Sequence, residues 1–224
     1  MARAALFDVD GTLVDTNHLH VTTWWEAFRQ AGHDVAMHDI HRSIGLGSDD
    51  LVARLLGEDR DRDEDEALSA AHTTLYATYF ERLPALPGAR DLLRELAGRE
   101  WRIVLATSAG GAELTALRRA IDADDVIAGV SSADDVAEGK PAPDPVHRAL
   151  ELAKTDPAEA VFVGDTVWDM KAARAAGVRA VALLAGGIPR ADLEEAGAQV
   201  VYGDTAELLS RLDTSIFAQM ERAG

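Results

Sequence analysis

Two carboxylates, Asp8 and Asp10, stand one residue apart at the end of the apolar run Ala4-Ala5-Leu6-Phe7, and Gly11 and Thr12 follow at once. Carboxylates held this close at a strand tip repel each other unless a cation or a shared proton intervenes. The spacing therefore points to a metal site or to acid/base work. Three later clusters could join such chemistry. Thr107-Ser108 follows the apolar run 102–106 and leads into Ala109-Gly110-Gly111. A hydroxyl with small residues behind it at a strand-to-helix turn can offer O–H and N–H donors to a phosphate; the plain alternative is a helix N-cap. Lys140, in Gly139-Lys140-Pro141-Ala142-Pro143-Asp144, precedes a predicted helix whose N-terminus disfavours a cation, which argues for a separate purpose over a surface lysine. It is the only lysine in the first 153 residues. Asp165 and Asp169 follow the run 160–164 and lie four apart, so one turn can direct both at a hard cation, or simply cap a helix.

Each cluster ends a short apolar run, and those runs need a frame. From residue 84 onward the pattern alternates. Helices are predicted over 88–96, 112–121, 143–153, 167–176, 191–196 and 205–212, and strands over 102–106, 126–130, 160–164, 178–184 and 199–202. With a first strand at 4–7, this order predicts an α/β fold, a doubly wound, Rossmann-like parallel sheet. Ligands of such sheets bind beyond the carboxyl ends of the strands, where all four clusters fall. The segment 16–83 reads differently, as helices over 17–30, 38–43, 48–56 and 64–83 with no strand signal. Leu68, Ala71, Leu75, Tyr79 and Leu83 recur at helical intervals there. Pro84 and Pro87-Gly88 close it. The expected organisation is a core of residues 1–15 and 84–224 with an inserted all-helical cap domain over 16–83. The acidic run 58–66 reads as a solvated loop and helix start, and the tail after Asp213 as a last helical turn or a frayed end.

The totals bound the partners. The 224 residues carry 39 acidic against 22 basic side chains, a formal charge of −17. A field of that sign disfavours nucleic acid and anionic membranes, so a small anionic substrate needs local positive charge. There is no cysteine, which removes thiolate catalysis, disulfides and thiolate-bound metals. The early apolar run is interrupted by Asp8 and Asp10, and no stretch approaches the ~18 apolar residues of a membrane span. A cytoplasmic protein is expected.

The four clusters together resemble the motifs of the haloacid dehalogenase superfamily in the form its phosphatases use: Asp8-x-Asp10-Gly11-Thr12, then Thr107-Ser108, then Lys140-Pro141-x-Pro143-Asp144, then Gly164-Asp165-Thr166-x-x-Asp169 with the following helix. Order, spacing and strand placement agree across residues 4–187. The resemblance implies Asp8 as nucleophile through an aspartyl-phosphate, with Mg2+ held by Asp8, the main-chain carbonyl of Asp10, and Asp165, and Asp169 in the first or outer shell. It implies Asp10 as general acid and then base, with a pKa raised by its surroundings, and Thr107 and Lys140 as stabilisers of the transferring phosphoryl group. An aspartate at position 10 separates the chain from the family's metal-free dehalogenases.

The insert resembles the cap that closes over such sites and reads the substrate. Thr16, His20 and Trp24 share one helix face, and this framing resembles both plain phosphatases and sugar-phosphate mutases, where the equivalent histidine couples closure to the general acid. The mutases also use a cap lysine, which this insert lacks; His72 is the nearest polar candidate. Arg42, Gly45 and their loop fall where the family keeps its specificity loop, with Arg42 a candidate grip for a carboxylate or second phosphate, and Ser108 a further substrate contact. Six of the seven histidines lie between His18 and His72 and read as surface and hinge residues, with His38 and His41 a mild metal-site reservation. The expectation is a Mg2+-dependent phosphatase of a small phosphorylated metabolite, close to phosphoglycolate phosphatases. A sugar-phosphate mutase is the alternative, and a non-catalytic binding protein on the same fold comes third.

Overall fold

A computed structural model describes residues 2–223. Six parallel strands form one sheet in the order β3-β2-β1-β4-β5-β6: β1 (Arg3–Phe7), β2 (Trp101–Ala106), β3 (Ile127–Ser131), β4 (Ala160–Gly164), β5 (Arg179–Leu183) and β6 (Val200–Tyr202). The chain winds outward from β1 in one direction, then returns to its other side at β4. The crevice at this reversal lies where β1 ends. Register makes the crevice flush. Phe7 pairs with Leu105 on one side and Val163 on the other, so Asp8, Thr107 and Asp165 all leave the sheet at one level.

Alternate residues of each strand serve opposite faces, as a sheet covered on both sides requires. Ala5, Phe7, Ile103, Leu105, Val161 and Val163 pack beneath α5 (Ala89–Gly98), α6 (Gly111–Ile121), α10 (Thr205–Ser210) and α11 (Ile216–Ala223). Ala4, Leu6, Val104, Ala106, Ala160 and Phe162 pack against α7 (Asp144–Ala153), α8 (Val167–Ala175) and α9 (Arg190–Ala196). The tail is neither frayed nor a single turn: α11 buries Phe217 against the ring of Trp101, edge to face at 4.9 Å. Aromatic burial anchors an end that polar residues alone would leave loose.

Between β1 and α5 lie α1 (Asn17–Gln30), α2 (Met37–His41), α3 (Ser48–Leu56) and α4 (Asp65–Ala77). They share a separate apolar cluster in which Trp24, Phe28, Ile40, Leu51, Val52 and Leu68 meet. The helix expected over 64–83 is shorter. It ends at Ala77, and a tight turn at Phe80–Arg82 carries the chain back toward Pro84. In the acidic run, Asp61 caps a separate short turn at Arg62–Glu64 by accepting from Asp63 N, and Asp65 holds Arg60 with both oxygens, which leaves it a charged surface segment. No helix among the described residues is long and apolar enough to cross a membrane.

Candidate active site

Buried strand ends place the charges. Asp8 leaves β1 with its N–H donated to Val163 O at 2.9 Å, so its carboxylate is fixed by the sheet itself. Lys140 comes from the loop before α7 and is 2% exposed, the most deeply buried cation of the molecule's active face. Its Nζ donates to Asp8 Oδ1 at 2.5 Å and lies 2.8 Å from Asp169 Oδ1. A surface lysine is thereby excluded.

Asp8, Asp165 and Asp169 converge, with one oxygen of each within 4.8 Å of the others, and all three are buried. Asp165 does not cap α8. That task falls to Thr166, whose hydroxyl accepts from Asp169 N at 3.2 Å while Asp169 Oδ2 accepts from Thr166 N and Oγ1 at 3.0 and 2.7 Å. The capping box locks Asp169 in one rotamer and leaves Oδ1 facing the cluster. Asp165 is oriented by Thr12 Oγ1 and Asn17 Nδ2, which donate to its two oxygens at 2.9 and 2.7 Å. Gly186 closes the far side. A Cβ there would collide with the Asp165 carboxylate and the Asn17 amide.

Three buried carboxylates share one ammonium, and the imbalance is expressed in their protonation. Burial first, then the charges of Asp169 and Asp10, lift Asp8 from 3.8 to about 7 despite Lys140, and burial with Asp8 and Asp169 lifts Asp165 well above the carboxylate range. Lys140, conversely, is held above its ordinary value: burial opposes the charge, and Asp169 and Asp8 outweigh it. An all-oxygen donor set of three buried carboxylates, with a single ammonium shared between two of them, fits a hard divalent cation.

The second carboxylate of the motif, Asp10, turns away from this cluster. Thr16 Oγ1 donates to its Oδ1 at 2.7 Å, and His20 Nε2 lies 3.2 Å from the same oxygen. The family resemblance implies a raised Asp10 pKa. The structure reverses the sign: burial pushes upward, but the His20 hydrogen bond and charge, with the Thr16 hydroxyl, hold Asp10 below its ordinary value. His20 is correspondingly raised, burial being overcome by Asp10 and Glu113. Proton affinity in this corner falls to His20 and to Glu113, whose carboxyl burial lifts to about 7 although His20 pulls it down.

Thr107 is buried and its hydroxyl accepts from Ala109 N at 3.0 Å; the N-cap of α6 is Gly110, so Thr107 is free of capping duty. Thr107 and Ser108 line a cleft of about 1020 Å³ with Lys140, Trp168 and Arg54. A smaller recess of about 80 Å³ opens between Asp8, Asp10 and the insert, and Gly45 and Ser108 reach its wall. At Gly45, φ is +99°, and a Cβ would press on Thr166 and Trp168, so the loop needs glycine to come this close to the core. Trp168, without a role in the sequence, carries Arg54 and Lys171 over its ring at 5.1 and 4.8 Å.

Arg42, the candidate grip, lines neither cavity: its guanidinium pairs with Asp192 of α9 at 2.6 Å, an exposed bridge from the segment 16–83. Among the histidines, read as surface and hinge residues, two lie in the interior. His20 and His72 are buried and linked, Nδ1 to Nε2 at 3.2 Å, and His72 stacks on Trp24 at 4.2 Å. His38 and His41 share no ligand site, since His38 is exposed beside Asp39 whereas His41 Nε2 meets Gly186 O at 2.8 Å. Glu113, in the first turn of α6, was missed, because an acidic residue there reads as dipole compensation. Its Oε1 lies 3.7 Å from His20 Nε2.

A six-stranded parallel sheet in this order, bearing three carboxylates and a lysine at its reversal, defines a hydrolase of the haloacid dehalogenase type. The chain belongs to the haloacid dehalogenase-like hydrolase family, whose pattern matches residues 2–177. A phosphoglycolate phosphatase of Rhodospirillum rubrum is 31% identical, the match covering 93% of this chain and 90% of that one. Protein CbbY of Cereibacter sphaeroides is 31% identical, covering 93% and 94%. Among solved structures, a hydrolase from Pseudomonas syringae superposes with a TM-score of 0.90 at 36% identity, covering 95% of this chain and 98% of that one. Within the family this chain stands with the phosphatases.

Proposed function

We propose that the protein is a Mg2+-dependent phosphatase that hydrolyses a small phosphate monoester through an aspartyl-phosphate on Asp8. The observation that carries the reading is the buried Asp8 carboxylate, joined to Lys140 and to two further carboxylates where the sheet reverses. Mg2+ would be held by Asp8, Asp165 and the Asp10 main-chain carbonyl, with Asp169 beside them. When bound it supplies positive charge that offsets the phosphate dianion and the attacking carboxylate.

One Asp8 oxygen attacks phosphorus and the ester P–O bond breaks. Lys140 and the Thr107 hydroxyl hold the equatorial oxygens while charge redistributes. Asp10, protonated from His20 as the ester bond breaks, passes that proton to the departing alkoxide and later takes one from the water that cleaves the acyl phosphate, which returns Asp8 and releases phosphate. Both hydrogen bonds to Asp10 fall on Oδ1, so Oδ2 serves the reaction while His20 holds the proton reserve. The insert, residues 16–83, acts as a cap: it brings His20, Gly45 and Trp24 over the leaving group and excludes water from the charged site.

The test is phosphate release from a panel of small esters with Mg2+ or with chelator, the Asp8→Asn variant serving as blank. Release that survives in that variant, or that ignores the chelator, refutes the reading. Isomerisation of a sugar phosphate without free phosphate would point instead to the mutase, against which the absence of lysine from the insert already counts.

A further inference from the structure

The recess beside Asp10 is where the alcohol half of an ester must lie if Asp10 protonates it, and its chemistry is one-sided. Its apolar wall comes from the insert, with Trp24, Ile44 and Leu51. Its polar wall is His20, His72 and Glu113, and no lysine or arginine is among the described residues that line it. The one group there that can carry positive charge is already engaged. His20 Nε2 lies 3.2 Å from Asp10 Oδ1 and 3.7 Å from Glu113 Oε1, while its Nδ1 meets His72 at 3.2 Å. His72 is flat against Trp24, and burial together with the neighbouring His20 keeps it neutral, with its pKa lowered to about 2.

We propose that this recess selects phosphate esters whose leaving group carries no second anion close to the ester oxygen, a neutral or cationic alcohol, and that Glu113 sets this selectivity. The inference rests on the phosphatase reading above and narrows its substrate class. A carboxylate or second phosphate in the recess faces the Asp10 carboxylate and the carboxyl of Glu113, which burial lifts to about 7 against the pull of His20, with no unengaged cation to meet it, and a buried unpaired anion is strongly disfavoured. The wider cleft offers little relief. Asp49, Asp50 and Glu138 line it, Lys140 is already held between Asp8 and Asp169, and Arg54 sits over Trp168 outside the recess. Glu113 is suited to the role because it is a core residue on the first turn of α6, fixed relative to Asp8, yet it reaches the histidine of the insert.

The experiment compares three esters of matched size, ethyl phosphate, aminoethyl phosphate and phosphoglycolate, with Mg2+, on the wild type and on Glu113→Gln. Ethyl and aminoethyl phosphate are expected to exceed phosphoglycolate in kcat/KM by roughly a hundredfold. With the assay at pH 8, above the value of about 7 to which burial lifts Glu113, Glu113→Gln is expected to narrow that ratio roughly tenfold, because one of the two facing charges is gone. Binding of the same esters to Asp8→Asn, read by calorimetry, should follow the same order. Equal or better use of phosphoglycolate by the wild type overturns the inference, as does a ratio unmoved by Glu113→Gln. If Glu113→Gln does not fold, the wild-type ratio decides. If no ester is turned over, the phosphatase reading fails, and the binding order on Asp8→Asn still decides the selectivity on its own.

Discussion

Replacing Asp8 by asparagine should give a protein that is catalytically dead and, without divalent cations, more stable than the wild type. The native fold lifts the Asp8 carboxyl from 3.8 to about 7, chiefly by burial. At 1.36 kcal/mol per pH unit that interval is about 4 kcal/mol by which ionised Asp8 opposes folding above pH 7. The sign follows from proton binding: between the two values the native state holds the proton more tightly than the unfolded chain, so stability falls as pH rises from about 4 to 7, then levels. Asparagine is isosteric, and its Oδ1 still accepts from Lys140, so the main change is loss of the charge. Because the amide also loses water on burial, the net gain is about 2–4 kcal/mol at pH 8. It shrinks to less than half of that at pH 5, where wild-type Asp8 is protonated. At roughly 2–4 °C per kcal/mol for a chain of this size, the midpoint in chelator at pH 8 should rise by about 5–15 °C. The assay is thermal or urea unfolding of both proteins in chelator at pH 5 and 8, then in excess Mg2+. Ligand linkage should raise the wild-type midpoint with Mg2+ and leave the variant nearly unmoved. A variant less stable than wild type in chelator at pH 8, or a gain equal at both pH values, would refute the charge-strain argument.

Lys140→Met leaves Asp8 and Asp169 without their cation; urea unfolding in chelator should show a loss of about 3–5 kcal/mol, and turnover should vanish even in Mg2+. Asp10→Asn removes the proton donor but keeps the partner of Thr16 and His20. It should lower kcat by roughly 10²–10⁴ while the Mg2+-induced rise in midpoint persists, and loss of both together would show that Asp10 acts through metal binding instead. Gly186→Ala drives a methyl into the Asp165 carboxylate, so the concentration of Mg2+ needed for half-maximal activity should rise at least tenfold, a titration reading directly whether this glycine guards the cluster. Arg42→Ala breaks only an exposed bridge to Asp192; its steady-state kinetics should match the wild type and its stability should change by less than about 1 kcal/mol.

The pattern of apolar runs and breakers carried most of the architecture because both of its periods are local. Residues 48–56 and 160–164 are bounded in the structure as their sequence reads, since burial on one helix face or on both sheet faces leaves a direct imprint on neighbouring positions. The shortened α4 and the ordered α11 were not legible. Where α4 stops depends on the route back to Pro84, and α11 is held by Phe217 meeting Trp101, a contact between residues remote in sequence.

What the sequence by itself determined is the chemical inventory at the strand ends: Asp8 with Asp10, Thr107, Lys140, and Asp165 with Asp169, each at a position where a parallel sheet must expose it. What only the tertiary structure decided is how those charges are shared. Lys140 falls to Asp8 and Asp169, Asp165 is held by Thr12 and Asn17, and Asp10 is drawn off by His20, a residue of the insert, which reverses the direction of its proton affinity. Arg42 turned outward and Glu113 turned in for the same reason. A side chain's identity is written locally, but its protonation and its partner are set by the charges and the water around it, and those come from segments brought together only when the chain has folded.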